Sequence, residues 1–199
     1  MNNGKQKGNT RRMTGLAIFT AIIVVLQVLC TFVRFGPFSI TLALAPIIIA
    51  TAIYGKGAGA YLGGVFGLVV LLGGIFGWDG GTVMLLMGLN PIGCILICIG
   101  KGILAGYLSG LAYRAIEKKS PLAAVVTAGI VCPVVNTGLF ILGMLVFYGS
   151  TLQSWAGGQN VIYYAIFGLA GINFVVELLV NLVLSSGITT VIKYAASRR

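Results

Sequence analysis

The chain has 199 residues, of which 13 are Lys or Arg, three are Asp or Glu and none is His. Charged residues make up only 8% and apolar residues 58%, against roughly 25% charged in an ordinary soluble domain, which excludes a soluble globule and a disordered chain alike. The lack of histidine excludes Ser-His-Asp and Cys-His catalysis and histidine metal sites, and Asp79, Glu117 and Glu177 leave almost no material for paired-carboxylate chemistry, so no enzyme activity is expected.

The polar, basic segment 1–12, with Lys5, Lys7, Arg11 and Arg12, reads as a disordered cytoplasmic tail. The apolar stretch 13–33 that follows is longer than the core of a signal peptide and has no small-x-small cleavage site after it, so it reads as a retained first membrane helix. Apolar stretches then recur at 40–55, 57–77, 89–113, 122–148 and 161–193, separated by polar or Gly/Pro breaks. All but the second reach the ~20 residues that a bilayer-spanning helix needs. The second is short and contains Pro46. The reading is an all-α membrane protein with one six-helix transmembrane domain over 13–195 and a basic end at 196–199.

Net charge is +10, a value that suggests nucleic acid until the positions are read. With six spans, eleven of the thirteen basic residues fall at segment ends on one side, Arg34 alone falls on the other, and Lys101 lies within the fourth span. Positive charge collects on the cytoplasmic side of membrane proteins. Both termini are therefore expected in the cytoplasm of a multi-pass plasma-membrane protein, and no nucleic-acid partner is expected.

Glycine recurs every fourth residue at Gly55, Gly59, Gly63 and Gly67, and again at Gly102, Gly106 and Gly110. Such spacing lets helix backbones approach closely in lipid. The segment Gly55-Lys56-Gly57-Ala58-Gly59-Ala60 lacks the order of a Walker A phosphate loop, so ATP-driven work would need a partner. Cys30, Cys94, Cys98 and Cys132 all sit in apolar stretches and read as inert buried thiols.

Charges inside a membrane are costly and usually functional. Here they are Lys101 in the fourth span and Glu177 in the sixth, which either pair with each other or face a binding cavity. Asn173, Glu177 and Asn181 stand at i, i+4 and i+8, on one face of the sixth span, so that face meets protein or water rather than lipid. Asn136 follows Pro133 in the fifth span and Asn90-Pro91 opens the fourth. Asn90, Asn136, Asn173 and Glu177 are thus candidates to line one pocket, with interhelical hydrogen bonding as the plainer role for each asparagine. In the outer loops, Arg34 is a candidate carboxylate partner, and it equally suits Asp79 or a lipid phosphate. Trp155 and Tyr163 read as interface anchors or as parts of a lid. On the first helix, Ala17 and Ala21 form a smooth strip suited to internal packing or to docking of another membrane protein.

These features together resemble the substrate-binding S components of energy-coupling factor (ECF) vitamin transporters. The resemblance rests on six helices in about 200 residues, on the A-x-x-x-A pair Ala17/Ala21, and on the helix 2–3 region Thr41-Leu42-Ala43-Leu44-Ala45-Pro46 with Tyr54-Gly55-Lys56-Gly57-Ala58-Gly59-Ala60. It rests further on Asn90-Pro91, Pro133-x-x-Asn136-Thr137 and Asn173-Phe174-x-x-Glu177, and it covers roughly residues 10–195. It implies a high-affinity vitamin-binding subunit in a bacterial cell membrane, with no cofactor of its own. Ala17 and Ala21 would dock a T component, and two ATPase subunits would use ATP while this chain reorients to deliver its ligand. The Asn136-Thr137 pair and the Asn-Phe-x-x-Glu run look most like pantothenate-specific members, with Arg34 or Lys101 on a carboxylate and Asn90, Asn136, Trp155, Tyr163, Asn173 and Glu177 around the rest. The alternatives are another vitamin (riboflavin, folate, pyridoxine or a thiamine precursor) or a stand-alone facilitator of small solutes.

Overall fold

A computed structural model describes residues 3–32, 34–35, 38–39 and 41–197. The first helix, α1 (Asn3–Thr31), begins ten residues earlier than the apolar pattern predicts, so the basic segment from Asn3 onward is helical rather than disordered. A two-residue antiparallel pair follows, β1 (Arg34–Phe35) with β2 (Phe38–Ser39). Every other regular element among the described residues is helical: α2 (Leu44–Tyr54), α3 (Lys56–Ile75) and α4 (Thr82–Leu89), then α5 (Pro91–Ile95), a wide π-helical segment π1 (Leu96–Gly100) and α6 (Lys101–Ile116), which run on without a break. After these come α7 (Pro121–Phe147), α8 (Gly149–Ala156), α9 (Val161–Tyr163), a second π-helical segment π2 (Tyr164–Ala170) and α10 (Gly171–Ser197).

Among the described residues, four helical stretches are long and apolar enough to cross a membrane: Thr10–Cys30, Lys56–Ile75, Pro91–Ile116 and Pro121–Phe147. A fifth is reached if Val161–Ala170 and Asn173–Ser185, which meet at 47°, count as one broken span. The expected second span is the departure. At 11 residues, α2 measures only about 16 Å, roughly half of a hydrocarbon core. It need not meet lipid at all: Leu44, Ile47, Ile48, Ala50 and Thr51 are buried, because α1, α3, α6, α7 and α10 all pack around it.

The helix starts follow local chemistry. Ser120 accepts a hydrogen bond from the Ala123 N–H at 3.3 Å, with Pro121 in the first turn of α7. Asn90 does the same for α5, accepting from the Gly93 N–H at 3.0 Å ahead of Pro91. Both are side-chain caps placed where proline is tolerated.

The recurring glycines face each other across α3 and α6. A Cβ added to Gly59 would strike the Gly106 carbonyl, one on Gly63 the Gly102 carbonyl, and one on Gly67 the Cys98 carbonyl. Without a hydrophobic drive between helices in lipid, such close backbone contact is what holds a pair together. Two apolar clusters flank this seam. One centres on α2 with Ile23, Leu62, Phe66, Val125 and Cys132. The other gathers Leu71, Leu86, Cys94, Met144 and Leu152 near α4 and α8. All four cysteines are buried free thiols.

Candidate functional site

Polar groups from far-apart segments meet in one cavity of about 80 Å³. Gln27 comes from α1, Thr41 from the segment before α2, and Asp79 from the loop between α3 and α4. Lys101 opens α6, Asn136 and Thr137 lie on α7 beyond the internal Pro133, and Asn173 and Glu177 lie on α10. Phe66, Val70, Val83, Phe140, Leu169 and Ala170 make the apolar remainder of the wall. The π-helical segment π2 contributes Leu169 and Ala170 to this site, and π1 ends directly before Lys101. Such wide turns are frequent at functional sites because they displace residues from the regular helical register.

Glu177 and Asn136 are each only 4% exposed. One Glu177 carboxylate oxygen (Oε2) and the Asn136 amide oxygen (Oδ1) accept no hydrogen bond among the described residues. A buried acceptor left so costs roughly 1–3 kcal/mol, so each favours a ligand that brings a donor. Of the two alternatives for Lys101 and Glu177, the direct pairing is not formed. No ion pair within 4.0 Å joins them. The Lys101 ammonium instead stands 5.1 Å from the centre of the Phe140 ring, a cation–π contact on the cavity wall. Both charges thus remain available to a bound molecule. The lining offers acceptors, amides and one ammonium around aromatic and aliphatic surface, which suits a small polar molecule with an apolar middle. At about 80 Å³ the cavity is below the ~300–1,000 Å³ usual for small-molecule pockets.

Of the residues singled out from the sequence, Lys101, Asn136, Asn173 and Glu177 meet here. Asn90 does not line the cavity, because its side-chain oxygen is used to cap α5. Trp155 packs on the second apolar cluster, and Tyr163 is 58% exposed with its ring 4.8 Å from that of Phe167, so both stand outside the lining. The side chain of Arg34 lies outside the described residues. Asn181 is buried on the same face of α10 but beyond the cavity. Ala17 and Ala21 are exposed on α1, as are Ile18, Ile22 and Val25, whereas Ile23 and Gln27 are buried.

Sequence reasoning missed Gln27, Thr41 and Phe140, and it weighed Asp79 only as a partner for Arg34. Gln27 carried a usable signal. Gln27 and Thr20 are the polar side chains in the apolar run 15–30, and the argument applied to Asn173 applies to Gln27 equally. Phe140 carried none, since an aromatic in an apolar helix reads as core.

Residues 11–193 match the family model described as ECF transporter, substrate-specific component. The chain is also 29% identical, over 185 residues, to the pantothenic acid transporter PanT of Lactococcus lactis subsp. cremoris (strain MG1363), an alignment covering 87% of this chain and 89% of that relative. The apolar helical bundle is what such a membrane transporter requires. The chain belongs to the family of substrate-specific components of ECF transporters.

Proposed function

We propose that this chain is the pantothenate-binding subunit of an ATP-driven importer in a bacterial plasma membrane. The observation that supports this most is the convergence of Lys101, Asp79, Asn136, Asn173 and Glu177 around the aromatic and aliphatic wall of a single cavity. Pantothenate carries a carboxylate at one end, hydroxyls at the other, an amide between them and a geminal dimethyl group. Lys101 suits the carboxylate. The open acceptors on Asn136 and Glu177 suit hydroxyl and amide donors. Phe66 and Phe140 suit the methyl groups. The likeness to a pantothenic acid transporter points the same way.

Thermal denaturation of the purified chain against a panel of vitamins tests the assignment. Pantothenate is expected to raise the melting temperature, because a ligand that binds only the folded state stabilises it in proportion to its concentration over Kd. No shift with pantothenate, beside a clear shift with riboflavin, folate, pyridoxine or thiamine, rejects it.

In the same reading both termini face the cytoplasm, and the chain works with a T component and two ATPase subunits that supply the work of delivery. The exposed strip containing Ala17 and Ala21 on α1 is the docking face. Ala17→Trp and Ala21→Trp should each abolish co-purification with the T component and vitamin uptake while leaving pantothenate affinity within about twofold, since both residues are exposed on α1 and neither lines the cavity. Uptake at the wild-type rate in both variants removes α1 as the docking face. Uptake by the chain alone in liposomes would instead identify a stand-alone facilitator.

A further inference from the structure

The loop between α3 and α4 delivers an acid to the cavity in an unusually fixed posture. Asp79 lines the cavity. One of its carboxylate oxygens accepts the Gly81 N–H at 3.0 Å and the other the Val83 N–H at 2.7 Å. Gly77, Gly80 and Gly81 have φ of 74°, 84° and 86°, a left-handed backbone that other residues rarely adopt, and this curls the loop around the carboxylate. Val83, which follows, is itself in the cavity wall and is wedged against Gly74 of α3. The carboxylate is therefore held by backbone before any ligand arrives. A carboxylate oxygen has two lone pairs, and a carboxylate accepts hydrogen bonds without donating any.

Lys101 is the cationic residue among the described lining, and it lies on a helix wall rather than in this loop. A ligand with one anionic end gains by placing that end at Lys101. What then meets Asp79 must be an uncharged donor. A second carboxylate at that end would face a like charge.

We propose that Asp79 is a specificity-determining residue: its carboxylate reads a hydroxyl or N–H donor at the uncharged end of the ligand, and it rejects ligands that are anionic at both ends. The proposal rests on the pantothenate reading and assigns the terminal hydroxyl to Asp79.

The test is calorimetric titration of the full-length purified chain with three probes: pantothenate, its analogue lacking the terminal hydroxyl, and its analogue with that hydroxymethyl group oxidised to a carboxylate. The wild type should bind the deoxy analogue about tenfold more weakly or worse, the loss expected for a hydrogen bond to a charged acceptor. In Asp79→Ala, pantothenate and the deoxy analogue should bind equally. Asp79→Asn should gain affinity for the dicarboxylate, which no misfolded protein would do. Equal weakening of pantothenate and its deoxy analogue in both variants would show a purely structural loop and overturn the proposal, as would wild-type binding of the dicarboxylate. Failure of the wild type to bind pantothenate at all would instead reject the pantothenate reading, and this assignment with it.

Discussion

Gly63→Leu is expected to yield no folded, monodisperse protein on gel filtration. Even a single Cβ at Gly63 would fall on the carbonyl of Gly102, and a backbone carbonyl held in a helix has nowhere to move. Overpacking a well-filled core costs roughly 1–3 kcal/mol where side chains can adjust. Here the obstacle is main chain, and the contact is reciprocal, so the helices must separate. The consequence reaches the binding site. Phe66 and Val70 come from α3, Lys101 is the neighbour of Gly102 on α6, and a Cβ on Gly102 would lie 3.3 Å from the Phe66 ring. Gly63→Ala should thus lower the melting temperature and weaken ligand binding together. Gly57→Ala is the control on the same helix: nothing lies within 4 Å of its added Cβ, and it should melt like the wild type. A Gly63→Leu protein with wild-type melting behaviour would mean that the α3–α6 seam does not set the bundle.

Lys101→Met is expected to weaken pantothenate binding by roughly 10–150-fold, the equivalent of about 1.5–3 kcal/mol for a charge-assisted hydrogen bond. Methionine keeps most of the apolar stem, so the wall beside Phe140 stays filled while the ammonium is removed. The sharper measurement compares pantothenate with panthenol, in which a primary alcohol replaces the carboxylate. The wild type should prefer pantothenate strongly, and Lys101→Met should show little preference. The cavity lining also contains Asp79 and Glu177. Without Lys101 these two acids would face an anionic ligand unrelieved, which adds to the loss. Wild-type affinity for pantothenate in Lys101→Met would place the carboxylate elsewhere.

The membrane character, the long helices and their approximate limits were legible in the sequence. Stretches 57–77, 89–113 and 122–148 correspond to Lys56–Ile75, Pro91–Ile116 and Pro121–Phe147. They were legible because a helix in lipid satisfies its own backbone, so hydropathy alone marks it. The same logic failed for α2, whose apolar residues serve a protein core instead of lipid, and these two uses of an Ile or Leu look alike in sequence. It also failed at Asn3, where a helix continues through basic residues that hydropathy excludes. In the site, Lys101, Asn136, Asn173 and Glu177 could be found because each breaks an apolar run. Asn90 broke such a run too, but its oxygen caps a helix, and a capping asparagine and a binding asparagine differ only in what surrounds them.

Composition alone determined that this chain is a helical membrane protein without histidine chemistry, since the cost of sinking each charge or polar group in hydrocarbon is a property of that residue and needs no knowledge of its neighbours. Which of those groups share a cavity was decided only by the tertiary structure. The rotation of each helix, the bend at the start of α10 and the glycine seam between α3 and α6 bring Gln27, Asp79, Lys101, Asn136 and Glu177 together from 150 residues of chain. They also leave Lys101 on Phe140 rather than on Glu177. Such convergence depends on packing between segments far apart in the chain, and no local pattern encodes it.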